Sequence, residues 1–210
     1  MSTTEIPDSA QPRRRLSRED RQRQLLDMAW QLIREEGTDA LTLGYLAEKA
    51  GVTKPVVYDH FTTRAGLLAA LYQDFDKRQT ALMDAALANA EATLSGTATV
   101  IATAYVDCVM TQGNEIPGVI AALASTPELE KIKREYEAIF LEKCRSVLSP
   151  FADGAEIGQA GLRAMLGAAE ALSQAAATGE ISAEQARDEL LATIIAMVER
   201  AAARAPQAGD

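Results

Sequence analysis

The chain is poor in the residues from which most catalytic and metal sites are built. It has one histidine, His60, and two cysteines, Cys108 and Cys144, 36 residues apart. Two cysteines are too few for a disulfide framework and are expected to be reduced, which fits a cytoplasmic protein. No metal-ligand cluster, Gly-rich phosphate loop or nucleophile motif can be read from the sequence. Paired carboxylates such as Glu128 and Glu130 fall on what reads as a solvated helix start. The expectation is therefore a protein that is not an enzyme and carries neither cofactor nor metal. Glycine (13) and proline (7) are modest in 210 residues, and β-branched runs are scarce, which leaves little to build strands from. No uninterrupted apolar stretch approaches the ~18 residues of a membrane span. Arg13, Arg14 and Arg15 are not followed by the apolar run of a secretion signal, so no membrane partner is expected.

What is present is helix-forming. Alanine and leucine dominate, and 48% hydrophobic against 24% charged residues can supply a real core. The net charge of −9 would argue against nucleic acid if it were evenly spread. It is not: residues 1–64 carry ten Lys/Arg and ten Asp/Glu, whereas residues 65–210 carry eleven and twenty. Between Arg13 and Arg23 six arginines face only Glu19 and Asp20. A basic segment on an acidic body is the footprint of local contact with a DNA backbone, or else a solvated leader.

Residues 1–16 read as a flexible basic arm. A helix from Ser17 has acidic residues in its first turn, an apolar stripe from Leu25 to Ile33, and a stop at Gly37. Thr42 can cap a short helix with Leu43, Leu46, Ala47 and Ala50 on its inner face. Gly51 then permits a left-handed turn, Thr53 caps a second short helix, and Pro55 sits in its first turn, where a missing N–H costs nothing. Two short helices about a tight glycine turn, with small Ala47 where they cross, make a helix-turn-helix. Thr63 caps a longer helix that runs to about Leu94, before Ser95-Gly96. Further helices are expected over 99–112, 117–124, 127–148, 156–177 and 182–204, the last opened by a Ser182/Gln185 capping box. The fold class is all-α, with nine helices.

The segment from Thr42 to Leu68 resembles the DNA-binding domain of TetR-family regulators. The resemblance rests on Ala50-Gly51-Val52-Thr53-Lys54, on Tyr58-Asp59-His60-Phe61, and on the capped helix with Arg64 near its start. Gly44 departs from it, standing where a charged or bulky residue is usual. The resemblance implies a helix-turn-helix domain (17–64) and a larger helical ligand-binding and dimerisation domain (65–210). It also implies a homodimer on a palindromic double-stranded operator, released by a small-molecule effector.

Within that frame Thr53, Lys54, Pro55 and Val56 are placed at the groove-entering end of the reading helix, with Lys54 able to donate to a guanine edge or a phosphate. Tyr58 and His60 offer donors to phosphates, although His60 reads equally as a structural partner of Phe61. Thr42 and Arg64 sit at helix starts, and Arg13, Arg14 and Arg15 can enter a minor groove. Candidate ligand contacts are Tyr105, Gln112, Tyr136, Phe140, Glu170 and Gln174; Glu170 reads at least as well as a solvent- or partner-facing residue. Candidate dimer contacts recur at three and four residues: Ile157, Gly161, Ala164, Met165, Ala168 and Leu172, then Leu190, Ile194, Met197 and Val198. The rival readings are an enzyme and a helical interaction module that no longer binds DNA.

Overall fold

The computed structural model describes residues 16–112, 118, 119, 121, 122 and 127–204. Ser17 opens α1 (Arg18–Glu36) by accepting from the Asp20 N–H at 3.0 Å, and Glu19 and Asp20 favour the positive end of the helix dipole. Leu25, Leu26, Ala29, Trp30, Leu32 and Ile33 form its buried stripe. After a turn of 3-10 helix at 38–40 come α2 (Leu43–Lys49) and α3 (Lys54–Phe61), joined at Gly51 with φ +63°. The Thr42 hydroxyl caps α2 at 3.1 Å from Tyr45 N. Thr53 occupies the cap position of α3, but its hydroxyl makes no capping bond.

The long α4 (Arg64–Asn89) starts with Thr63 accepting from Gly66 N at 3.0 Å. Gly66 is required there: a Cβ would stand 2.2 Å from the Phe61 carbonyl oxygen. α4 ends earlier than the sequence suggested. Thr93, not Thr99, opens α5 (Leu94–Gln112) by accepting from Gly96 N, so Ser95 and Gly96 lie in a first turn, where poor helix formers are tolerated. α6 (Pro127–Leu148), α7 (Gln159–Thr178) and α8 (Ala183–Ala202) follow, and the Ser182/Gln185 capping box is formed. The described residues thus hold eight α-helices and no strand. Half of the helix expected over 117–124 falls outside them; 118, 119, 121 and 122 are helical.

Two apolar cores result. The first joins α1, α2 and α3 to Leu67, Leu68, Leu71 and Tyr72 of α4, and takes in Val119 from the far side. The second is formed mainly by α5, α7 and α8, with Leu141, Cys144 and Leu148 of α6 and Met83 of α4. By length and mean hydropathy (1.2 over Leu94–Thr111) α5 is apolar enough to cross a membrane. Here its Ala98, Ile101, Ala102 and Val106 are buried against the other helices of that core.

Candidate nucleic-acid interface

α3 is divided by its periodicity. Val57 and Phe61 are buried, while Thr53, Lys54, Pro55, Tyr58 and Asp59 are exposed. Eight residues make too short a helix to persist alone, so the Val57/Phe61 edge must hold it on the first core while the opposite edge faces outward. Tyr58 is 50% exposed, its ring and hydroxyl open to solvent on this face. Val56 and His60 lie at the margin of the exposed face. Val52 N–H donates to the Ala47 carbonyl at 3.0 Å, which locks α2 to α3 across the turn.

Lys54 lies over Gly44. A Cβ added at Gly44 would meet its Cε at 3.6 Å and Nζ at 3.9 Å, so the missing side chain in α2 leaves the space that the lysine chain uses. Thr42, also exposed, is the cap residue immediately before α2. The His60 ring lies tilted against Phe61, ring centroids 6.0 Å apart. Its pKa is lowered, first by burial and then by the nearby Arg18, so the ring is neutral at pH 7.

Two arginines depart from expectation. Arg64 donates from Nε to the Leu41 carbonyl at 2.9 Å and from Nη2 to the Thr38 carbonyl at 2.8 Å. Its half-buried guanidinium braces the 38–41 loop onto α4 rather than standing free for a phosphate. Arg18, which was not singled out, reaches Asp59 across 41 residues of sequence. No local pattern announces that pair. A second tie outside the motif runs from the Tyr45 hydroxyl to Glu36 at 2.7 Å, with Lys49 Nζ 5.1 Å from the Tyr45 ring centre. Arg13, Arg14 and Arg15 lie outside the described residues.

Residues 25–71, which contain α2, α3 and the Tyr45–Glu36 tie but not Arg18, match the family described as bacterial regulatory proteins, tetR family. Over that segment the chain is similar to that family. Over 59 residues it is 39% identical to the HTH-type transcriptional activator FasR of Mycolicibacterium smegmatis, a match covering 28% of this chain and 27% of that protein. The chain therefore aligns with only about a quarter of that relative's length. Among solved structures, a TetR-family transcriptional regulator from Streptomyces coelicolor superposes with TM-score 0.65 at 17% identity, covering 88% of this chain and 97% of that one. The fatty acid degradation regulator FadR from Bacillus halodurans gives 0.66 at 14% identity, over 83% and 94%. At these identities the structural likeness is one of fold.

The candidate ligand contacts include two aromatic pairs, and the Glu170 carboxylate acts on the hydroxyls of both Tyr105 and Tyr72. Tyr105 packs on Phe140 (centroids 5.7 Å apart) beside the second core, whereas Tyr136 meets Tyr72 edge-on at 5.4 Å beside the first. Glu170 is exposed, with Lys133 Nζ 3.7 Å away, and Gln174 is exposed one turn on. The side chain of Gln112 lies outside the described residues. A groove lies between α4 and α5, and none of the six lines it.

The dimer candidates need correction. Ile157, Met165, Leu190, Ile194, Met197 and Val198 are buried in the second core of their own chain, because α7 and α8 pack on α5 and on each other through that stripe. Gly161 faces inward too, with Met197 Cγ 3.1 Å from where its Cβ would be. Ala168 and Leu172 are half-buried against the same core, and only Ala164 is exposed. The outward edge of α7 runs instead through Ala160, Ala164, Gly167 and Ala171, with Ala192 exposed on α8. The three-and-four periodicity marked the helix faces that pack within one chain.

Proposed function

We propose that the protein is a ligand-responsive repressor that binds a palindromic operator as a homodimer and is released by a small-molecule effector. The observation that carries this reading is α3, held on a buried Val57/Phe61 edge while Thr53, Lys54, Pro55 and Tyr58 face outward. The N-terminal end of such a helix fits the major groove, where Lys54 donates to a guanine edge or phosphate and Pro55 and Val56 offer apolar surface to a thymine methyl. Tyr58, His60 and Thr42 set register on phosphates, and Arg13, Arg14 and Arg15 follow an adjacent minor groove. Residues 17–64 do the reading and residues 65–210 do the sensing and pairing. The partner chain packs on the outward Ala160–Ala171 edge of α7 and on Ala192 of α8, where small residues let helices approach closely. A protein of this kind works in the cytoplasm and catalyses nothing.

A gel shift with the DNA flanking the protein's own gene tests the reading. Lys54→Ala should weaken specific binding about tenfold or more while leaving the thermal midpoint unchanged; full retention of operator affinity would remove Lys54 from the interface. The second reading is an activator, favoured by the relative FasR, which is 39% identical over 59 residues. A promoter fusion assayed with and without the gene separates the two by the sign of the change.

A further inference from the structure

The groove between α4 and α5 has a volume of about 460 Å³, the size of a small-molecule site. Its apolar wall is formed by Leu82 and Ala86 of α4 with Val100 and Ala104 of α5, and Leu82 is left 64% exposed. Cys108 also lines it. Burial pushes that thiol up to about 12, so it stays protonated and adds no charge.

The charge comes from Asp107. Arg187 of α8 sends both Nε (2.9 Å) and Nη2 (2.6 Å) to one carboxylate oxygen, Oδ1, and Oδ2 has no hydrogen bond among the described residues. Thr99 and Thr103 line the groove and also a recess of about 150 Å³ on the other side of α5, bounded by Glu184, Arg187, Asp188 and Leu191. The charged side chains around the two hollows are therefore three carboxylates and one guanidinium. Glu184 and Asp188 are exposed and have no ion-pair partner among the described residues.

An apolar trough whose one charged lining residue is Asp107, with two further carboxylates in the adjoining recess, complements one kind of molecule. We propose that the α4/α5 groove binds an amphiphilic organic cation, its hydrocarbon body along Leu82, Ala86, Val100 and Ala104 and its ammonium on Asp107. This rests on the effector reading above and gives the effector's chemical class. The ammonium competes with Arg187 for Asp107, so occupancy is felt both by α8 and by α4, whose first residue braces the 38–41 loop.

The test uses the full chain and three probes of equal length, decylamine, decanol and decanoate, titrated calorimetrically below their micelle concentrations. Decylamine should bind about tenfold more tightly than the other two. Asp107→Asn should remove that advantage, whereas Arg187→Gln should strengthen decylamine binding by freeing the carboxylate. These opposite signs would not follow from a shared loss of stability. Ala104→Trp should abolish binding of all three. Equal binding of decanoate, or an unchanged decylamine affinity in Asp107→Asn, overturns the proposal. So does an Ala104→Trp change in oligomeric state with ligand binding intact, which would make the groove an interface between copies. A parallel gel shift keeps the two readings apart. Decylamine bound through Asp107 without effect on operator affinity would leave the cation site standing and the effector reading lost. Operator release by decanoate alone would do the reverse.

Discussion

Arg18, in the first turn of α1, donates to the carboxylate of Asp59 at 2.9 Å and to its carbonyl at 3.2 Å, tying the start of α1 to the outward face of α3. Both side chains are about two-thirds exposed, so the pair adds little to stability, about 0–1 kcal/mol. Its consequence lies elsewhere: it occupies an arginine beside the surface proposed to meet DNA and leaves a carboxylate on that surface.

Asp59→Ala is therefore expected to free Arg18 for a phosphate. The salt dependence of DNA binding, measured by fluorescence anisotropy, should steepen by about one unit of log–log slope. Affinity for non-specific DNA should rise with it. An unchanged slope would mean that Arg18 never reaches the backbone.

His60 links the interface to pH. Its folded-state pKa lies below the ordinary 6.5, so the folded chain favours the neutral ring. The stability this contributes is present above about pH 6.5 and is lost as pH falls through the depressed value. Urea midpoints should accordingly fall between pH 7 and pH 5, and by less in His60→Gln. A phosphate beside the ring favours the charged form instead, so operator affinity should rise as pH drops from 7.5 to 6. Equal pH profiles for wild type and His60→Gln would show that the ring is only a packing partner of Phe61.

Two glycines should separate stability from signalling. Gly66→Ala drives a methyl into the Phe61 carbonyl and is expected to cost about 2–3 kcal/mol in chemical denaturation. At Gly118 a Cβ would stand 2.5 Å from Thr38 Oγ1, on the loop whose Thr38 and Leu41 carbonyls Arg64 holds. A threonine side chain can turn aside, so Gly118→Ala should fold. It should nonetheless shift that loop and change operator affinity several-fold, with effector affinity unaltered. Identical operator binding would show that the contact transmits nothing.

Leu190→Glu is expected to unfold the chain rather than split the dimer, because Leu190 is 1% exposed within its own core and an unpaired charge there costs several kcal/mol. Ala164→Glu or Ala171→Glu places the charge on the outward edge of α7. Sedimentation should then show monomers with an unchanged circular dichroism spectrum. A dimer that survives both substitutions pairs through another surface.

The helix-turn-helix was legible from residues alone because its constraints are local. Thr42 and Thr63 cap within their own turns, Gly51 supplies a positive φ between adjacent helices, and Val57 and Phe61 are one turn apart. Helical periodicity likewise located most of the elements, since a buried stripe repeats wherever a helix packs. What periodicity does not encode is which neighbour covers the stripe. Leu190, Ile194, Met197 and Val198 read the same whether they face a second subunit or α5 of their own chain, and only the packed structure chose the latter. The same holds for Arg64, taken by two carbonyls of a distant loop, and for Arg18 with Asp59 and Arg187 with Asp107. Each of these arginines could have faced solvent, DNA or a partner. Short-range rules such as capping and turn geometry act on residues already held together by the chain, whereas the partner of a long charged side chain is decided only when tertiary packing brings residues 23, 41 or 80 positions apart into reach.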